Sequence, residues 1–83
     1  MKMDKTELRE DAFSVLKIVL ENIEGICQKQ FYRAAELELD HYYGMVAMLY
    51  FLDIISEAEH EAKYEEGLRR YHAARYPEEA QHD

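Results

Sequence analysis

The sequence predicts an all-α chain folded as a small three-helix bundle. Apolar residues recur at three- and four-residue intervals over most of its length. Breakers are scarce: three glycines and one proline in 83 residues are too few for the turns of a small sandwich or barrel. Helix-start signatures stand at Asp4–Glu7 and Ser56–Glu59, each a capping residue with glutamate three positions later. The length corresponds to one domain, read as residues 1–76, with residues 77–83 a disordered polar tail.

The first helix is expected over about residues 4–24. Asp4 serves as its N-cap, and Met3 and Leu8 have the spacing of a hydrophobic staple. Ala12, Leu16, Val19, Ile23 and Ile26 line one face. Gly25 fits the left-handed residue that follows a helix, with Ile26 folding back on Leu20.

The second helix is expected over about residues 27–53. It offers three apolar stripes. One includes Ala34, Glu38, His41, Met45, Met48 and Leu52; another is Ala35, Leu39, Tyr42, Val46 and Leu49; a short third holds Tyr43, Ala47, Tyr50 and Ile54. From Tyr42 to Leu52 there is no charged residue, so this stretch is apolar on every side.

The third helix is expected over about residues 56–75. Glutamates crowd its first turns and Arg69, Arg70 and Arg75 its end, the order that the helix dipole favours. Tyr64, Leu68 and Tyr71 form a thin apolar face, and Pro77 stops the helix near Arg75. The alternative is fusion of the second and third helices into one rod of about 45 residues, roughly 68 Å long.

With 48% hydrophobic residues the chain can bury a core. At this size a core commonly needs a staple. Cys27 is the only cysteine, so a disulfide within the chain and a cysteine-based zinc cluster are both excluded. Oligomerisation remains. Asp4, Glu7, Glu10 and Asp11 interrupt the start where a secretory signal needs an apolar run, so a cytoplasmic setting is expected. A formal net charge of −8 lacks the basic footprint of a nucleic-acid binder.

The charge-free run is too short for a membrane span, which takes about 20 residues. Its all-round apolarity predicts an interface, with Tyr42, Tyr43, Met45, Met48, Tyr50 and Phe51 as contact residues and a homodimer as the product.

Glu38-Leu39-Asp40-His41 and Glu57-Ala58-Glu59-His60 are both E-x-x-H. Paired motifs of this kind supply the ligands of ferritin-like di-metal bundles. Reversal near Ile55 leaves His41 and His60 about nine residues out of step, roughly 13 Å along the axis. One chain then cannot gather Glu38, His41, Glu57 and His60 around one metal pair; only an oligomer could. His60 then faces about Tyr50. Glu38 and His41 read more simply as buried polar residues paired with Arg69, His72 or Arg9.

Few residues suit nucleophilic catalysis. Ser56 reads as a cap, Ser14 lies within a helix, Thr6 sits in a first turn and Cys27 reads as packed. There is no glycine-rich phosphate loop. No cofactor is expected. Arg69, Arg70, His72 and Arg75 form a basic patch, read as dipole complement and ion pairs to Glu65, Glu66 or another helix. Asp53, Glu57, Glu59, Glu61, Glu65 and Glu66 form an acidic face suited to a basic protein partner. The resulting expectation is a non-enzymatic, inhibitor-like interaction module. It self-associates through the second helix and binds a larger protein. The alternative is an oligomeric, iron-binding carboxylate bundle.

Overall fold

A computed structural model describes residues 4–80; Met3, and with it the expected staple, and residues 81–83 of the expected tail lie outside them. Three helices form the body: α1 (Lys5–Gln28), α2 (Tyr32–Phe51) and α3 (Glu57–Arg75), followed by the single turn α4 (Pro77–Ala80). Each of the three long helices packs on the other two. The Cα envelope measures 45 × 24 × 16 Å. Each long helix keeps a face outside, with exposed residues recurring along its whole length.

The helix starts follow the sequence signals. The Asp4 carboxylate accepts the Glu7 backbone N–H at 2.8 Å. Ser56 and Glu59 close a complete capping box, with bonds of 2.9 and 3.1 Å. At the far end α3 ends at Arg75, with Tyr76 as its C-cap directly before Pro77.

The helix ends differ from expectation. Gly25 lies inside α1, which runs another turn and thereby places Cys27 in the core at 3% exposure. The left-handed residue is Gln30, at φ 65°. Gln30 N–H donates to the Cys27 carbonyl and Phe31 N–H to the Ile26 carbonyl, the bond pair of a Schellman ending. The same motif closes α2. Asp53 sits at φ 58°, its N–H on the Tyr50 carbonyl and the Ile54 N–H on the Leu49 carbonyl. This turn excludes the fused rod: the chain reverses, and Ile55 plugs the core at 4% exposure. The second helix accordingly starts at Tyr32 and ends at Phe51, not at 27 and 53.

The core is built from Leu16, Leu20, Ile23 and Cys27 of α1, Ala35, Leu39, Tyr42 and Val46 of α2, Ile55, and Tyr71 of α3. Of the three stripes on α2, the second faces inward. On α1 the centre of the buried face is turned slightly from the expected one, so Val19 and Ile26 lie at its edge. On α3 the expected Leu68 is 56% exposed, and Gly67 takes the inward position. The physical reason is Tyr42. Its ring is fully buried and lies against Gly67, where a Cβ would fall 2.8 Å from Tyr42 Cδ1 and closer still to Cε1. Its hydroxyl donates to the Lys63 carbonyl at 2.6 Å. An aromatic side chain from α2 thus fills the volume that a leucine of α3 was expected to supply.

Candidate functional site: two exposed faces

The face between α1 and α2 is open. It holds a shallow groove of about 740 Å³ lined by Ala12, Val15, Gly44, Met45, Met48 and Leu49, with Glu38, Asp40 and His41 at its polar edge. Of its lining, Val15 is 45% and Met48 58% exposed; Ile18 of α1 and Leu37 of α2 are each 58% exposed as well. Leu37 and Met48 lie on the side of α2 that faces away from the core, and Val15 and Ile18 on the outer side of α1, which is why apolar side chains remain in solvent there.

The expected contact residues divide between two sides of α2. Met48 is on the open face, Phe51 is 79% exposed, and Met45 is half-buried in the groove. Tyr42 is excluded from any surface by its burial against Gly67. Tyr43 and Tyr50 turn toward α3. Tyr43 packs edge-on against Tyr64 at 4.8 Å, and Tyr50 stacks on His60 at 4.9 Å. Sequence reasoning missed Leu37 because Glu36, Glu38 and Asp40 surround it, and it gave Gly44 of α2 and Val15 and Ile18 of α1 no role. The signal that places Leu37 and Gly44 with Met48 is the heptad spacing of Leu37, His41, Gly44 and Met48.

The E-x-x-H pairs open onto different surfaces. His41 Nδ1 lies 3.0 Å from Glu38 Oε1 at the edge of the groove, so this pair satisfies itself and does not reach Arg69, His72 or Arg9. The pairing is local because their stripe faces away from α3. His60 stands between Tyr50 and Tyr64, with Glu57 beside it in a separate cleft of about 410 Å³. Its place opposite Tyr50 is the one expected from reversal near Ile55. Among the described residues no three His, Cys, Asp or Glu side chains gather as a metal site.

The acidic block also divides. Glu59 is held by its cap and by Arg9 at 3.4 Å. The Ser56 backbone N–H is the main reason its carboxyl titrates below the usual range. Glu66 pairs with Lys63 at 3.1 Å and with Arg70 at 3.6 Å. Glu57, Glu61 and Glu65 follow one another at four-residue spacing and are exposed beside Tyr50, His60 and Tyr64. Asp53 is exposed at the left-handed turn.

The basic patch is largely engaged within the chain. Arg70 grips Glu24 through two bonds of 3.0 and 2.6 Å, tying α3 to α1. Arg75 lies over the Tyr32 ring at 3.9 Å, and its Nε donates to the Tyr76 hydroxyl. Cys27 is in the last turn of α1, and burial pushes its thiol pKa up, opposite to an activated nucleophile. The Ser14 hydroxyl donates to the Glu10 carbonyl within α1.

No helix among the described residues is long and apolar enough to cross a membrane. No protein-family model matches the sequence, and no curated protein or solved structure matches it either.

Proposed function

We propose that this chain is a non-enzymatic protein–protein interaction module that self-associates through the open face of α2 and α1 and binds a larger protein with a basic surface. One observation carries the reading: the groove between α1 and α2 is lined by Ala12, Val15, Met45, Met48 and Leu49, and Val15 and Met48 are left about half in solvent. Contiguous apolar surface of this kind on a small domain marks an interaction site. A second helical surface laid on it would complete a four-helix arrangement, the usual way to bury such faces.

Net charge and the α3 row supply the second half. Glu57, Glu61 and Glu65 make no ion pair among the described residues, and they border an aromatic cleft. A partner's lysines and arginines would meet both carboxylates and ring faces there. The non-enzymatic reading is supported by the engagement of Ser14 and Ser56 in helix hydrogen bonds and by the buried, unactivated Cys27. A buried single thiol also suits the cytoplasmic setting.

Sedimentation velocity on the full chain tests the self-association. A dimer at micromolar concentration, dissociated by Met48→Asp with helix content retained, is the expected result. A stable monomer across that range removes it.

A further inference from the structure

We infer that the cleft at the α1–α2 turn is a binding site for a carboxylate, with the Arg75 guanidinium as its anchor. It shares no lining residue with the groove or the aromatic cleft and takes a ligand of the opposite charge. It therefore goes beyond the interaction reading.

The cleft measures about 610 Å³, within the range of small-ligand pockets. Gln28 is the last residue of α1, Gln30 lies in the turn, and Tyr32 is the first residue of α2. Arg75 ends α3, and Pro77 begins α4.

Arg75 is held in place but left short of partners. Its Cζ lies 3.9 Å from the centre of the Tyr32 ring, and its Nε donates to the Tyr76 hydroxyl at 3.1 Å. Nη1 is shut off from solvent and has no hydrogen-bond partner among the described residues. No other buried side-chain nitrogen or oxygen among them is in that condition. Buried donors ordinarily find a partner, and an orphaned one points to an ion or another bound group. Stacking on Tyr32 uses the face of the guanidinium and leaves its in-plane donors unspent.

The chain supplies no carboxylate to them. Arg75 forms no ion pair among the described residues. Glu24 lines the same cleft, but both its oxygens are taken by Arg70. Glu36 accepts from the Tyr71 hydroxyl at 3.4 Å instead. Glu78 and Glu79 stay exposed and make no ion pair among the described residues.

The ligand class follows from the donors. A planar guanidinium fork matches a carboxylate. The Gln28 and Gln30 amides both donate and accept, which suits a peptide group beside that carboxylate. Lys29 and Arg33 adjoin these residues in sequence, are exposed and carry no ion pair among the described residues. Exposed charges beyond about 8 Å are largely screened at physiological salt, so these neighbours outweigh the net −8 at the cleft. The turn α4 packs on α3 alone among the described helices. Its Pro77 end can shift to admit a ligand to Nη1 without opening the core.

The test is an NMR titration of the isotope-labelled full chain at fixed ionic strength. Three probes are used: N-acetylalanine, with a chain-end carboxylate; N-acetylaspartic acid α-amide, with a side-chain carboxylate; and the neutral N-acetylalanine amide. Saturable shifts of the Arg75 Nε–H and the Gln28 and Gln30 side-chain amides are expected with at least one carboxylate and not with the neutral probe. The carboxylate that saturates identifies the source. Arg75→Lys keeps the charge without the fork and should weaken binding about tenfold, with helix content unchanged. If that variant loses helix content, Gln28→Ala, at an exposed position, replaces it and should also weaken binding. Non-saturating shifts with both carboxylates overturn the site. Equal binding of the neutral probe overturns it too, as does unchanged affinity in the folded variant.

Discussion

Replacing Gly67 by alanine should destabilise the fold, although alanine is the better helix former. The added methyl would fall 2.8 Å from Tyr42 Cδ1 and nearer to Cε1, well inside ordinary contact. The ring has nowhere to go. It is fully buried, and its hydroxyl is held at 2.6 Å by the Lys63 carbonyl on the same helix as Gly67. Forcing a methyl into a packed core costs about 1–3 kcal/mol. Displacing the ring would also loosen a hydrogen bond worth about 1 kcal/mol. Helix propensity returns about 1 kcal/mol. The net loss is then about 1–3 kcal/mol, or roughly 5–20 °C in Tm for a domain of this size. Gly25→Ala is the control. It sits in the same kind of helical backbone with nothing within 4 Å of the new Cβ, and should gain about 0.5–1 kcal/mol. Urea denaturation followed by circular dichroism at 222 nm, at one fixed protein concentration, measures both. A Gly67→Ala variant as stable as the parent would refute the close approach of Tyr42 to α3.

Gln30→Gly should raise stability by about 1 kcal/mol in the same assay, because Gln30 holds a left-handed conformation at φ 65° that glycine adopts without penalty. Arg70→Lys should cost about 1 kcal/mol, since an ammonium cannot reproduce the two-bond grip on Glu24; an unchanged urea midpoint would show the bridge to be idle. Burial raises the phenol pKa values of Tyr42, Tyr43 and Tyr71 in the folded chain. Folding stability is therefore fully present below the unfolded phenol pKa of about 10 and is lost as pH rises toward the folded values. Tyr42→Phe should flatten that alkaline decline while lowering stability by about 1 kcal/mol at pH 7 through the lost bond to Lys63. An unchanged slope above pH 10 would contradict the buried phenol.

Much of the helix chemistry was legible in local sequence. Ser56 and Glu59 cap α3 and Pro77 ends it, because both effects act within one turn of backbone. The end of α1 was misread because a glycine at the right spacing competes with burial. Carrying the helix through Gly25 places Cys27 in the core, and Gln30 accepts the left-handed conformation instead. The split of the candidate interface was not legible. Tyr42, Tyr43 and Tyr50 have the same composition signal as Met48 and Phe51, yet they face α3 while the latter face solvent.

By itself the sequence determined an all-α chain, the start and stop of α3, the engagement of the nucleophile candidates in helix structure, and a second helix with no single wet face between Tyr42 and Leu52. Tertiary structure decided the rotation of that helix. When apolar side chains surround a helix, its own periodicity assigns no inside. The choice fell to packing across the bundle: Gly67 leaves a hollow on α3, the Tyr42 ring fills it, and the hydroxyl reaches the Lys63 carbonyl. Once Tyr42 points inward, Leu37, Gly44 and Met48 point outward, and the open face follows from that one rotation.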